Sequence, residues 1–244
     1  MKTLALVLLP LLAGVVSASF AQTQTTKPAR VLFLVGGAYH NYDELPAALV
    51  QRLKTNLENK VSLDFTISKD LSSLRADELH KYDLLMMNLC QQTELTPEEK
   101  EGFLSAVKGG LPVIALHCTF WCFQSWPDFK EVLGAFVPGH QKFGTFCLKT
   151  THADNSILKG VEPEFELTDE PYIVNDRDRS MNVLVKTCHA LADRPNPEPE
   201  VWTKTYFKGR IFAMTFGHDE RSQNNKNYLT LLANGMLWAL GRTK

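Results

Sequence analysis

The sequence has no excess of either charge and, after residue 21, no long apolar run. Lys and Arg together number 26 and Asp and Glu number 27, which gives a formal net charge of -1. Without a basic block, the chain lacks the electrostatic footprint that binds nucleic acid or an anionic membrane. No second stretch approaches the roughly 18 apolar residues of a membrane span. We therefore expect no nucleic-acid partner, no span after the first segment is removed, and a small neutral or mildly acidic ligand.

The first 21 residues have the pattern of a secretory signal peptide. Lys2 gives a basic start, an apolar run follows over 4–16, and Ser19-Phe20-Ala21 is a small-x-small cleavage site. Cleavage after Ala21 leaves a polar linker, 22–29, and one domain, 30–244. Because the residue directly after the cleavage site is not cysteine, the lipoprotein signature is missing, and we expect a periplasmic protein, with full secretion second. An uncleaved anchor is the alternative.

Five cysteines are an odd number, so an oxidising compartment leaves at least one of them unpaired. At Cys118 and Cys122 we expect buried free thiols rather than a structural zinc module, because free cysteine packs as a small hydrophobe and no second Cys/His pair has zinc-finger spacing. Whether Cys118 and Cys122 are oxidised stays open. The five are Cys90, Cys118, Cys122, Cys147 and Cys188.

The first half of the mature chain predicts a doubly wound α/β fold with a mostly parallel sheet. Continuous apolar runs at 31–35, 82–89 and 112–116 are typical of strands covered on both faces, and 61–68 alternates as a more exposed strand. Leucines at fourfold spacing predict a helix over 44–57. Thr96-Pro97-Glu98-Glu99 begins a second helix, which ends at Gly109-Gly110. Strand, helix and strand in succession indicate parallel pairing.

The second half predicts antiparallel additions to this sheet. Strand-like segments lie at 146–151, 165–174 and 181–187, and a hairpin spans 201–217 around the turn Lys208-Gly209. The Pro-rich stretch 193–200 is predicted to be a surface loop. A last helix, near 227–239, completes the domain.

Four histidines follow predicted strands: His40, His117, His152 and His218. Ligands of open parallel sheets bind beyond the carboxyl ends of the strands, so several such histidines indicate a shared site. We predict that His40, His117 and His218 bind a divalent metal or share acid-base chemistry with a carboxylate. The carboxylate candidates are Asp169, Glu170 and Asp219. Each histidine taken singly could equally be a hydrogen-bonded structural group.

Two motifs resemble the class I glutamine amidotransferases. GLPVIALHCTF resembles their strand and nucleophile elbow, and GRIFAMTFGHDE resembles the strand that carries their catalytic histidine and acid. His117 falls at the position of the nucleophilic cysteine, so the amidotransferase thiol is absent. With GGAYHNY, THADNSILKG, DEPY and NGMLWALG, the chain from Val31 to Gly241 resembles the trehalose-utilisation (ThuA-like) family.

The resemblance implies a flavodoxin-like, class I glutamine amidotransferase-like fold and a role in carbohydrate catabolism, particularly of 3-keto sugars and 3-keto glycosides. Enolisation beside a ketone suits a histidine and carboxylate cluster. His117, Glu170 and His218 are then catalytic. His40, His117 and His218 are metal ligands, for zinc or manganese, and no nucleotide cofactor is expected. Tyr172, His140 and Trp121 are candidate sugar contacts. Core packing is the alternative for Tyr172 and Trp121, and an exposed turn for His140.

Three functions of different classes remain open. The first is a metal-assisted isomerase, lyase or hydrolase of oxidised sugars. The second is a non-catalytic carbohydrate-binding or accessory protein, since fold alone does not imply activity. The third, ranked last, is a cysteine enzyme with Cys118 as nucleophile and His218 as base. The exact substrate and a homo-oligomeric state are not determined by the sequence.

Overall fold

The computed structural model describes residues 27–152 and 154–243. The predicted signal peptide and most of the predicted linker lie outside these residues, although Ala29 already begins the first strand. No helix within the described part is long and apolar enough to cross a membrane. The strands β1 to β11 are Ala29–Gly37, Leu63–Ser68, Leu84–Cys90, Val113–Leu116, Phe136–His140, Gly144–Thr150, Glu164–Asp169, Tyr172–Asn175, Asn182–Thr187, Pro199–Tyr206 and Gly209–Met214.

Helices alternate with strands through the first half of the chain. The α-helices α1 to α6 are Leu45–Leu57, Ala76–Leu79, Pro97–Gly109, Pro127–Leu133, Glu220–Gln223 and Lys226–Ala239. Short 3-10 helices span Leu71–Leu74, His117–Trp121 and Ser156–Leu158. The predicted start of α3 is confirmed, because Thr96 and Glu99 form a reciprocal capping box.

The main sheet confirms the predicted doubly wound α/β fold with antiparallel additions. Its order across the described residues is β2-β1-β3-β4-β11-β10-β9-β6-β7. The pairs from β2 through to β11 are parallel. From β11 onward every pair is antiparallel. The carboxyl ends of β1, β3, β4 and β11 therefore share one edge of the sheet.

Two apolar layers hold this sheet between helices. Along β1, Val31 and Phe33 pack into the layer under α1 and α6, while Leu32 and Leu34 pack into the layer under α3 and α4. Successive side chains of a strand point to opposite faces, so a continuous apolar run is what two covered faces require. The rigid sheet in turn fixes where its carboxyl edge presents side chains.

The prediction of buried free thiols at Cys118 and Cys122 is confirmed for Cys122 and wrong for Cys118. Disulfides join Cys90 to Cys118 and Cys147 to Cys188, and Cys122 is the buried free thiol. Sequence spacing does not indicate these pairs, because 28 and 41 residues separate the partners. Strand pairing brings their Cα atoms to 5.0 and 5.3 Å, within the usual range for a disulfide.

The prediction of a surface loop over 193–200 is wrong at its C-terminal end. Strand β10 begins at Pro199, and both Glu198 and Glu200 are fully buried. Glu198 accepts hydrogen bonds from Arg177 Nη2 at 2.6 Å and Arg194 Nε at 2.8 Å. A carboxylate can be buried when it is paired in this way. Arg177 lies 21 residues from Glu198 in the sequence, so the composition of 193–200 does not reveal this pairing.

Candidate functional site

Three histidines converge at the carboxyl edge of the parallel strands. His40 follows β1, His117 follows β4 directly, and His218 follows β11. The ring centroid of His40 lies 4.9 Å from that of His117 and 4.8 Å from that of His218. Each of the three rings offers a nitrogen within 4.8 Å of the other two nitrogens. The structure therefore brings together the three residues that were predicted as metal ligands.

His40 is held in the cluster by a close approach of two backbone segments. Gly37 has a φ of +112°, and a Cβ there would lie 2.0 Å from the carbonyl oxygen of Cys90, so glycine is required. Both ring nitrogens of His40 are buried and have no hydrogen-bond partner. Burial, followed by the neighbouring imidazoles, lowers the pKa of His40 to about 3. The ring is thus neutral near pH 7.

His117 is fully buried and has an uncommon backbone conformation. Its φ is +48°, a left-handed value that is rare for residues other than glycine and that clusters at functional sites. Its Nδ1 donates to the carbonyl oxygen of Thr215 at 2.9 Å, since a carbonyl can only accept. Burial lowers the pKa of His117 to about 4. The neutral ring therefore keeps the lone pair on Nε2, 3.6 Å from Oε2 of Glu170.

Glu170 lies among the imidazoles. Its Oε2 is 3.2 Å from Nδ1 of His218, and its Oε1 is 3.6 Å from Nε2 of His140. Burial by itself raises the pKa of Glu170, but His218 and the other imidazoles lower it, and the net shift is downward. Hydrogen bonding to Glu170 raises the pKa of His218. Glu170 is consequently a carboxylate at neutral pH.

The structure separates the three candidate carboxylates. Asp169 is fully buried and accepts hydrogen bonds from the backbone N–H of Gly217 at 2.7 Å and of His218 at 3.1 Å. It therefore anchors the loop that carries His218, and burial raises its pKa. Asp219 accepts from the backbone N–H of Arg221 at the start of α5. Glu170 is the one of the three that faces the cavity.

A cavity of about 380 Å³ opens beside the histidines. This volume is within the range of small-molecule sites, roughly 300–1,000 Å³. All three residues that were predicted to contact a sugar contribute to its wall, which is formed by Tyr39, His40, Cys90, Cys118, Trp121, Val137, Pro138, Gly139, His140, Glu170, Tyr172 and His218. His152, in contrast, is exposed and does not line the cavity.

Most aromatic side chains in the segment after His117 pack in the core. Phe120, Phe123 and Trp126 are buried in the apolar layer. Trp121 is half-buried, and it both packs against the opposite apolar layer and lines the cavity. Trp121 is the last residue of a short 3-10 helix, and it packs on the side of the sheet opposite to Phe120. The run of aromatic residues in the sequence does not reveal this difference.

A second, two-stranded sheet contributes His140, for which the sequence predicts a turn, and Tyr172, which lies in a predicted strand. Strands β5 and β8 pair antiparallel, with His140 opposite Tyr172. The two rings stack with centroids 5.7 Å apart. Tyr172 also places its hydroxyl 3.4 Å from Nε2 of His117. Strand β5 was missed because Pro138 and Gly139 interrupt it, which is tolerated in an edge strand.

Cys118 does not have the free thiol that the third functional hypothesis needs. Its sulfur is bonded to Cys90, and the disulfide forms part of the cavity wall. The thiol that remains, on Cys122, is buried, and burial raises its pKa to about 12. A nucleophilic cysteine instead needs a lowered pKa and exposure.

The three imidazoles form a suitable ligand set for a divalent cation. Neutral rings are the form that coordinates metals, and burial keeps His40 and His117 in that form. His218, whose pKa is raised by Glu170, must release the proton it holds before it can coordinate. A backbone carbonyl on the second nitrogen of His117 is the usual support for a ligating histidine. A tetrahedral zinc ion holds nitrogen ligands about 3.4 Å apart, so modest ring movements suffice. Glu170 offers a fourth ligand or a base beside it.

Fold and site together define a doubly wound α/β protein with three histidines gathered at the carboxyl edge of its parallel strands. The family model described as ThuA, trehalose utilisation, matches residues 30–239. The chain belongs to the ThuA family. No curated protein matches the chain closely enough to serve as a relative.

Solved structures agree with this fold. A ThuA-like protein from Parabacteroides merdae has a TM-score of 0.73 at 22% identity, over 89% of this chain and 92% of that one. A ThuA-like protein from Bacteroides uniformis has a TM-score of 0.71 at 16% identity, over 92% and 97%. A GMP synthase component from Thermoplasma acidophilum has a TM-score of 0.53 at 13% identity, over 89% and 95%. The last likeness is consistent with the predicted α/β fold.

Proposed function

We propose that this protein is a metal-assisted isomerase, lyase or hydrolase that acts on 3-keto sugars or 3-keto glycosides. Membership of a family described by trehalose utilisation supports a carbohydrate-related function. The observation that carries the finer proposal is the position of Glu170, a carboxylate between His117 and His218 that opens into the cavity.

Glu170 is the base in the proposed chemistry. The carbonyl group of a 3-keto sugar acidifies the hydrogen on the adjacent carbon, and a carboxylate of lowered pKa is ionised and ready to accept that proton. A divalent cation on the three imidazoles would polarise the ketone oxygen and offset the negative charge that develops there. His140, 43% exposed at its side chain, connects Glu170 to solvent and can exchange the proton.

Two outcomes follow from one proton abstraction. If the proton returns to the former carbonyl carbon and the hydroxyl on the adjacent carbon loses its own proton, the ketone moves by one carbon and the sugar is isomerised. Expulsion of the glycosidic oxygen at the carbon beyond cleaves the glycoside by elimination, and addition of water then completes a net hydrolysis. Trp121 is the proposed stacking contact, because an aromatic face packs well against a sugar ring. Tyr172 is buried in the apolar layer, so its proposed contact with the sugar is limited to the part of the side chain that lines the cavity.

Metal content tests the ligand set. We expect the purified protein to bind one equivalent of zinc or manganese, measured by elemental mass spectrometry after dialysis. His117→Ala and His218→Ala should each lose it, and His80→Ala, which changes an exposed histidine, should keep it. Absence of metal from the wild type even after reconstitution would remove the metal from the proposal.

Proton exchange tests the base independently of the final product. In D₂O, the wild type should replace the hydrogen adjacent to the ketone of a 3-keto glucoside by deuterium, observed by NMR. Glu170→Gln should lower the exchange rate by at least about 100-fold, the usual minimum contribution of a general base. Glu164→Gln, on the exposed face of β7, is the matched control. Binding without exchange would instead support the carbohydrate-binding alternative.

We also propose that the mature protein is exported, to the periplasm or beyond. Two disulfides support an oxidising compartment. Mass spectrometry of the protein from cell fractions should find an N-terminus at Gln22 outside the cytoplasm. Recovery of the uncleaved chain from the cytoplasm alone would contradict the proposal.

A further inference from the structure

The Cys90–Cys118 disulfide forms the wall of the cavity beside His40. Cys90 is the last residue of β3, and Cys118 follows His117 after β4, the neighbouring strand in the sheet. Both cysteines line the cavity. The proposed sugar chemistry uses neither of them.

His40 and the two sulfurs form a compact group of potential ligands. One nitrogen of His40 and both sulfur atoms lie within 4.8 Å of one another. Both nitrogens of His40 are buried without a hydrogen-bond partner, although buried polar atoms are almost always paired. An unpaired imidazole therefore lies beside two sulfur atoms that can become thiolate ligands only when their disulfide is reduced.

We propose that reduction of the Cys90–Cys118 disulfide creates a second metal centre, in which the two thiolates and His40 bind a thiophilic divalent cation. A dithiol reductant supplies two electrons and two protons, the S–S bond breaks, and the dithiol becomes its own cyclic disulfide. The cation then displaces the two thiol protons to solvent. Two cysteines and one histidine leave the fourth position of a tetrahedral ion open.

The disulfide and the thiolate centre exclude each other. A tetrahedral zinc ion with Zn–S bonds of about 2.3 Å holds its sulfur ligands about 3.8 Å apart, so the S–S bond must break first. His40 belongs to both ligand sets. If the three-histidine site of the proposed function is present, reduction of the Cys90–Cys118 disulfide therefore removes His40 from its ligands. That consequence rests on the proposed function, whereas the thiolate centre does not.

Cobalt titration of the full mature protein tests the inference. A phosphine reductant, which becomes its oxide with oxygen from water, reduces the protein without competing strongly for metal. Co²⁺ should then bind at one equivalent and give an intense thiolate-to-cobalt charge-transfer absorption in the near ultraviolet. Oxidised protein should lack this absorption. Cys90→Ser/Cys118→Ser should abolish it, and His40→Ala should weaken binding at least about tenfold, the order expected when a metal site loses support.

Two controls separate this centre from the other sulfur atoms. Cys122→Ser removes the remaining buried thiol and should retain the absorption. Cys147→Ser/Cys188→Ser removes the second disulfide, which lies with Glu164 in another potential ligand group, and should also retain it. Circular dichroism checks that each variant folds. If Cys90→Ser/Cys118→Ser does not fold, His40→Ala and Cys122→Ser decide the assignment.

The outcomes distinguish this inference from the proposed function. Reduced wild-type protein without the charge-transfer absorption overturns the thiolate centre, as does an absorption lost only with Cys122 or with Cys147 and Cys188. Cobalt bound to oxidised protein without that absorption reports the three-histidine site alone. The thiolate centre and the three-histidine site can each be present without the other, so the absence of one does not decide whether the other exists.

Discussion

The buried imidazole of His117 donates its Nδ1 hydrogen to the carbonyl oxygen of Thr215 at 2.9 Å. The hydroxyl of the same threonine donates to the carboxyl group of Glu200, which is fully buried on β10. Thr215 thus connects Glu200 to the imidazole that directly follows β4. A fixed tautomer and ring orientation are what a ligating histidine requires.

Glu200 should make stability depend on pH. Burial raises the pKa of Glu200 well above its ordinary value, so the folded state holds a proton that the unfolded state releases. Its contribution is fully present below the unfolded pKa, about 4.3, and is lost as pH rises toward the folded pKa. Glu200→Gln removes this loss. Relative to wild type, the variant should become more stable from pH 5 to pH 8, by up to about 1.4 kcal/mol per pH unit.

Chemical denaturation at several pH values measures this difference. Asp169, a second buried carboxyl group with a raised pKa, is present in both proteins, so the part of its titration that does not depend on Glu200 cancels. A stability difference that is constant between pH 5 and pH 8 would contradict a protonated Glu200.

Two helix glycines should respond in opposite ways to alanine. A Cβ at Gly235, in α6, would lie 2.7 Å from ring atoms of Phe212, so Gly235→Ala should destabilise the fold by about 1–3 kcal/mol through overpacking. A Cβ at Gly109, in α3, meets no atom within 4 Å. Gly109→Ala should be neutral or stabilise by up to about 1 kcal/mol, because alanine is the better helix former. Urea unfolding of both variants checks this, and equal effects would refute the packing argument.

The Cys147–Cys188 disulfide should stabilise the antiparallel part of the sheet. It closes a loop of 41 residues, for which the chain-entropy argument gives about 4 kcal/mol. Cys147→Ser/Cys188→Ser should lower the free energy of unfolding by about 2–4 kcal/mol. Guanidinium unfolding under oxidising conditions measures the loss, with Cys122→Ser as the control that leaves both bridges intact. A variant as stable as wild type would show that this bridge adds nothing.

Trp126 should contribute to the stability of the fold and Trp121 to the affinity for the ligand. Trp126 is buried and stacks on Phe129 with ring centroids 5.5 Å apart, so Trp126→Ala should cost about 3–5 kcal/mol of stability. Trp121 lines the cavity. Trp121→Ala should weaken binding of a 3-keto glucoside about 3- to 10-fold, as expected for loss of about 0.5–1.5 kcal/mol of aromatic contact.

Calorimetry with the ligand and thermal unfolding separate the two effects. The expected pattern is lost affinity with a small change of melting temperature for Trp121→Ala, and the reverse for Trp126→Ala. Unchanged affinity in Trp121→Ala would remove Trp121 from the sugar contacts.

Local patterns in the sequence were sufficient for most of the parallel half of the fold. Apolar runs, helix caps and the glycines after strands are determined by neighbours within a few residues, and α3 begins and ends where Thr96 and Gly110 require. Strand β5 was missed, and the burial of Glu198 was not foreseen, because each depends on partners from distant segments.

The sequence by itself determined the family, the α/β class and the three histidines that follow parallel strands. Strand order in a parallel sheet puts the residues after each strand at one edge, so position in the pattern was enough. Only the tertiary structure decided that Glu170, rather than Asp169 or Asp219, faces those rings, and that Cys118 is bonded to Cys90. Those choices depend on which way a side chain points and on contacts across the fold, neither of which leaves a periodic signal in the chain.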